Sequence, residues 1–163
     1  MKKELIFQAM IVGLILGLFL FLGILLDSYC YEKELNPRPG DRETKIVTKI
    51  IDGDTIIVEG GERIRFLGID CDERGERCYN QAKEYLEKRI YEKEVILESD
   101  IQDKDRYGRS LRYVFFDGEN INVKLVEEGY CTARFERETR YKNQITIAER
   151  NAIENKIGCK WGE

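Results

Sequence analysis

Two arginines and a group of carboxylates hold most of the chemistry this sequence can offer. Arg65 lies in Ile64-Arg65-Phe66, a strand pattern that turns its side chain to the face opposite its apolar neighbours. Asp70, Asp72 and Glu73 follow where that strand ends, and Asp52 and Asp54 stand two residues apart on one side of another strand. Carboxylates grouped in this way are hard oxygen ligands of the kind Ca²⁺ prefers. Arg65 and Arg109 add planar forks suited to phosphate oxygens. The 163 residues include no histidine, which removes the commonest general base, the commonest zinc ligand and every Ser/His or Cys/His pairing. Glu73 is then the kind of base left to act on a water. Each piece alone has a plainer reading: Asp52-Gly53-Asp54 as a turn, Tyr107-Gly108-Arg109 as a solvated loop, and residues 72–77 as a polar surface segment. Their joint occurrence in order shifts the balance toward a site.

The elements that must position these residues read as a small α+β domain. Thr44–Ile51 is rich in β-branched residues, Thr55–Glu59 resumes after Asp52-Gly53-Asp54, and Gly60-Gly61 turns into a third strand over Glu62–Ile69. Ala82, Leu86 and Ile90 at helical spacing predict a helix from Tyr79 to Glu92. Val95–Ser99 and Ser110–Phe116 read as strands, Asn120–Glu128 as a short helix stopped by Gly129, and Tyr141–Lys156 as a last helix, with a brief extended piece at Cys131–Phe135. A sheet of this order can close as a five-stranded barrel, a shape that commonly binds oligonucleotides without by itself dictating function.

Residues 5–26 are 22 consecutive uncharged positions. A helix of that length, at ~1.5 Å per residue, covers a bilayer core of ~30 Å. Lys2 and Lys3 precede it, which predicts a single-pass membrane anchor with residues 1–4 in the cytoplasm and the domain outside. A cleaved signal peptide followed by secretion is the alternative. Residues 27–43, with Pro37, Pro39 and Gly40 among charges, read as a linker to a domain over 44–163. That domain carries 22 Lys and Arg against 25 Asp and Glu, so a nucleic-acid partner must meet a local basic patch or a bound cation. Five cysteines suit an exported location. Cys71–Cys78 and Cys131–Cys159 are the expected bridges, with buried free thiols or a zinc site as competing readings.

Taken together, Ile51-Asp52-Gly53-Asp54-Thr55, then Ile64-Arg65-Phe66-Leu67-Gly68-Ile69-Asp70 with Glu73 three residues on, then Asp105-Arg106-Tyr107-Gly108-Arg109, resemble the staphylococcal nuclease-like, or thermonuclease, domain. The resemblance spans residues 44–162 and takes in Asn122, Leu125, Gly129 and Trp161. It implies an oligonucleotide-binding barrel of five strands with three helices. It also implies a monomeric calcium-dependent nuclease that hydrolyses DNA and RNA to 3′-phosphate ends. Carried over by position, the calcium ligands fall on Asp54, Asp70 and the backbone carbonyl of Cys71, with Asp52 in support. The catalytic residues fall on Arg65, Arg109 and Glu73. Arg106 and Tyr107 match positions that contact a terminal phosphate, and Phe135 matches an aromatic near the base pocket. The family's Thr or Ala and then Pro before the glutamate are here Cys71 and Asp72, and the loop from Glu73 to the first helix is shorter. A Cys71–Cys78 bridge would restore the stiffness that the proline supplies. The competing class is a catalytically inactive barrel that binds nucleic acid or peptide; such relatives lose the acidic and arginine residues, which this chain keeps at all five positions.

Overall fold

A computed structural model describes residues 4, 13–25, 38–137 and 139–162, and the chain separates into two units, Met1–Pro37 and Arg38–Glu163. In the first unit residues 13–25 are helical (α1), with exposed leucine and phenylalanine side chains. Among the described residues no helix is long and apolar enough to cross a membrane. The predicted anchor 5–26 and linker 27–43 lie partly outside the described residues.

The second unit begins with β1 (Arg42–Ile50), which takes in two residues expected in the linker because Arg42 and Glu43 pair with Glu98 and Leu97 of the β5 strand (Glu94–Lys104). β2 (Thr55–Val58) and β3 (Arg63–Phe66) follow as a meander around a single 3₁₀ turn at Glu59–Gly61. After β5 comes β6 (Ser110–Phe116), antiparallel to it, and a short β7 (Glu119–Asn120). The sheet closes where β3 pairs in parallel with β6, giving a barrel of β1, β2, β3, β5 and β6. Its interior is filled by alternate side chains such as Ile56, Ile64, Phe66, Leu97 and Tyr113, all buried. β5 runs five residues past its predicted end. The segment Asp100–Lys104 has no apolar alternation, and its pairing with β6 is what extends the strand.

The predicted third strand splits in two. Gly68 takes φ +77°, and a Cβ there would stand 2.7 Å from a ring carbon of Phe135 and 2.9 Å from Ile145. Glycine at this corner lets the chain leave the barrel and form β4 (Ile69–Cys71), which pairs with β8 (Cys131–Ala133).

Helix α2 (Tyr79–Ile90) buries Ala82, Leu86 and Ile90. α3 (Ile121–Glu127) starts at Asn120, whose side chain accepts from the amides of Asn122 and Val123, satisfying two donors at the helix start. α4 (Lys142–Glu154) buries Ile145, Ala148 and Ala152, and a short α5 (Gly158–Trp161) ends the described chain.

The bridges differ from those expected: Cys71 pairs with Cys131 and Cys78 with Cys159. The register of β4 against β8 puts Cys71 opposite Cys131. Cys78, at the start of α2, meets α5. Nearness in sequence misled because a loop that turns into a helix carries Cys78 away from Cys71. Cys30 lies outside the described residues.

Candidate active site

The barrel's closure is what gathers the charged residues. Thr55 opens β2 and pairs with Arg65 of β3, and the parallel pairing of Ile64 with Ser110 brings Arg109, just before β6, to the same end. Asp54 immediately precedes Thr55 and is buried. Asp70 arrives on β4, released from the barrel at Gly68.

Arg65 is the hub. Its Nη1 lies 2.8 Å from Asp54 Oδ2 and its Nη2 donates to Asp70 Oδ1 at 2.8 Å. Nη1 also donates to the carbonyls of Phe66 and Ile69 at 3.2 and 3.1 Å, so the guanidinium holds the β3–β4 corner as well as the carboxylates. Asp54 Oδ2 accepts from the amide of Cys71 at 2.9 Å, and Oδ1 accepts from Thr55 Oγ1 at 3.1 Å. Asp52 supports the turn by accepting the Asp54 amide at 3.1 Å. Burial pushes the Asp54 carboxyl up to about 7, against the pull of Arg65, and the charge of Asp52 adds to the rise.

Arg109 is held differently. Asp105 Oδ2 accepts from Arg109 Nε at 2.7 Å, while Oδ1 accepts from the amides of Tyr107 and Arg109 at 2.8 and 3.0 Å. Burial would raise the Asp105 carboxyl, but the Arg109 hydrogen bond and these backbone amides hold it below the usual range. The other end of the guanidinium reaches Thr55 Oγ1 at 3.4 Å. Thr55 therefore stands between Asp54 and Arg109.

One cleft of about 730 Å³ is lined by Asp52, Asp54, Arg65, Asp70, Glu73 and Arg109, together with Arg106, Tyr107 and Phe135 at its edges. Glu73 sits in the exposed loop before α2, where its amide donates to Glu76 Oε2 at 2.7 Å. Tyr107 is 69% exposed and receives Arg106 both over its ring and at its hydroxyl, at 2.7 Å. Phe135 packs beside Gly68 and under the ammonium of Lys142. Of the expected ligands, Cys71 is present through its backbone only, its sulfur being bonded to Cys131.

Asp54, Asp70 and the Cys71 carbonyl are oxygen donors whose chemistry fits a hard divalent cation. The desolvated Asp54 carboxylate, held only in part by Arg65, is the group such a cation would stabilise. Among the described residues no group of three or more Asp, Glu, Cys or His side chains gathers as a metal cage, so carbonyl and water oxygens would complete the coordination, as Ca²⁺ accepts.

One participant escaped the sequence reading, and two more belong to its motifs. Arg134 Nη1 lies 2.8 Å from Asp70 Oδ2 across the β4–β8 pair. Thr55 and Asp105 act through their neighbours, as described. Arg134 sits in a segment with no diagnostic spacing, while Asp105 belongs to the Asp105–Arg109 motif and was legible as part of it.

Residues 63–161 match the family described as staphylococcal nuclease homologue. The chain belongs to the staphylococcal nuclease family. The α+β architecture, a closed barrel of five strands with helices, agrees with membership. Within the family, the chain is 35% identical over 122 residues to a thermonuclease of Staphylococcus hyicus, covering 69% of this chain and 72% of that protein. It is 34% identical over 125 residues to a thermonuclease of Staphylococcus intermedius, covering 71% and 74%. An endonuclease of Bacillus subtilis is 32% identical over 123 residues, covering 67% of this chain and 57% of its own. The family match starts at β3, so Asp52 and Asp54 lie before it.

Proposed function

We infer that this protein is a nuclease that hydrolyses phosphodiester bonds of DNA and RNA, depends on Ca²⁺, has little sequence specificity and leaves 3′-phosphate ends. The observation that carries this reading is the convergence of Asp54, Arg65, Asp70, Glu73 and Arg109 on one cleft. The thermonuclease and endonuclease names of its relatives support the reaction class.

Bound between Asp54 and Asp70, the cation would supply positive charge to the phosphate oxygens. Arg65 and Arg109 bind the non-bridging oxygens and offset the charge that builds on them in the transition state. Asp105, by holding Nε, aims the remaining face of Arg109 into the cleft. Glu73 accepts a proton from, or orients, the water that attacks phosphorus as the bond to the 5′ oxygen breaks. Contacts to phosphate rather than to base edges give little sequence preference. Arg106 and Tyr107, which also line the cleft, would contact a terminal phosphate in this reading, and Phe135 would lie near the base.

The apolar stretch 5–26 after Lys2 and Lys3 supports a single-pass anchor with the nuclease unit outside, and two disulfides in that unit favour an oxidising compartment. The enzyme acts as a monomer in this reading. Digestion of plasmid and RNA by the full chain is expected in Ca²⁺, to cease with chelator, and to return when Ca²⁺ is restored. Unchanged cutting in chelator would remove the cation from the reading, and binding without cutting would make the protein an inactive nucleic-acid-binding barrel.

A further inference from the structure

The loop that carries Glu73 lacks the proline found in the family pattern, yet three interactions of different kinds tie it to the C-terminal end of the chain. Cys78 is bonded to Cys159. Asp72 forms an ion pair with Lys160 Nζ, both side chains being largely buried. Arg77 Nη2 donates to the carbonyl of Gly162 at 2.7 Å. Within the loop, Asp72 Oδ2 also accepts the amide of Cys78 at 2.8 Å, so both ends of the loop are pinned through one carboxylate.

The anchoring segment is itself fixed. Gly129, after α3, and Gly158, at the start of α5, approach so closely that a Cβ on Gly129 would stand 2.0 Å from the Ile157 carbonyl oxygen, and one on Gly158 would stand 2.1 Å from that of Glu128. The amide of Lys160 donates to the Gly129 carbonyl at 3.0 Å. Residues 158–162 are thus seated on the end of α3 and grip the Glu73 loop from there.

We propose that Asp72, Lys160 and the Cys78–Cys159 bridge form a clamp that positions Glu73 toward the scissile phosphate, taking the place of the missing proline. These are positioning residues; only Glu73 faces the reacting atoms. The inference rests on the nuclease reading above. A misplacement of the base by about 1 Å is enough to cost as much as ~10²-fold in rate, while the arginines that bind phosphate are held by Asp54, Asp70 and Asp105, outside the clamp.

The test compares Lys160→Met, Lys160→Arg and the double variant Cys78→Ser, Cys159→Ser in the full chain, each with and without Glu73→Gln, on a fluorescent oligonucleotide in Ca²⁺. Lys160→Met and the double cysteine variant are expected to lower kcat by about 10- to 100-fold with KM nearly unchanged. Lys160→Arg should recover most of the rate. In the Glu73→Gln background the same changes should add little, because the group they position is already gone. Arg89→Met, which breaks an ion pair with Glu119 at the opposite end of α2 from Cys78, serves as a stability control and should leave kcat alone. Should the double cysteine variant fail to fold, Lys160→Met with both disulfides intact decides. A full additional loss in the Glu73→Gln background, or wild-type kcat in Lys160→Met, overturns the clamp. Wild-type activity of Glu73→Gln alone would instead overturn the underlying reading of Glu73.

Discussion

The two arginines do unequal work. Arg109 is held by Asp105, which keeps its hydrogen bonds from the amides of Tyr107 and Arg109 when the guanidinium is removed, so truncation removes a charge-stabilising donor and one ion pair. Arg109→Ala should lower kcat by ~10²–10³ with only a small fall in melting temperature from the lost Asp105 pair. Arg65 also neutralises buried Asp54 and ties the carbonyls of Phe66 and Ile69. Arg65→Ala should therefore lose turnover and stability together, the latter by about 3 kcal/mol as a buried pair is broken; chemical denaturation of both variants separates the two cases. Asp54 makes a further prediction through its raised carboxyl. Between the ordinary carboxylate range near 4 and about 7, the folded chain holds a proton there that the unfolded chain has released. The linkage sign is then negative: stability contributed by protonated Asp54 is full below about 4, declines as pH rises through this window, and is flat above it. In cation-free buffer the stability difference between wild type and Asp54→Asn should drift by that sign, measured by denaturant unfolding at pH 4.5, 6 and 7.5. A difference that does not vary with pH would place Asp54's ionisation elsewhere.

At the scale of elements, the site depends on corners more than on strands. Gly68 lets β3 end and β4 turn toward β8, carrying Asp70 to Arg65 and Arg134. Gly129 performs a related task for the C-terminal end. It combines φ +65° with a contact that leaves no room for a side chain against the Ile157 carbonyl. Gly129→Ala should destabilise the domain by more than ~1 kcal/mol, the conformational part alone, seen as a fall in melting temperature, and α5 should become more open to amide exchange. An unaltered melting temperature would mean that α5 does not seat against this glycine.

At the scale of the molecule, two disulfides spanning 60 and 81 residues cross-link a small barrel with a single core. Bridges closing loops of that length stabilise by ~4 kcal/mol each in the chain-entropy view. Mass spectrometry of non-reduced peptides should recover Cys71 linked to Cys131 and Cys78 linked to Cys159; a Cys71–Cys78 peptide would restore the pairing first expected from spacing. The mild negative charge of the chain fits the proposed reading, in which a polyanionic substrate would be met locally by arginines and a cation and not by a broad basic surface.

The sequence alone determined the residue types, their order and most of the elements, because strands and helices write their periods locally and Arg65, Glu73 and Arg109 sit in short ordered motifs. Ala82, Leu86 and Ile90 marked α2 for the same reason, and each is buried where that period puts it. Only the tertiary structure decided which cysteines meet, that Arg65 joins two carboxylates, that Arg134 reaches Asp70, and that Lys160 reaches Asp72. The disulfides, the Arg134–Asp70 pair and the Lys160–Asp72 pair join residues 60 or more apart in the chain, whereas Arg65 reaches back to Asp54 beside the β2–β3 pairing and on to Asp70 past the turn at Gly68. No local pattern encodes such meetings, since they follow from barrel closure and strand register, which bring distant segments together.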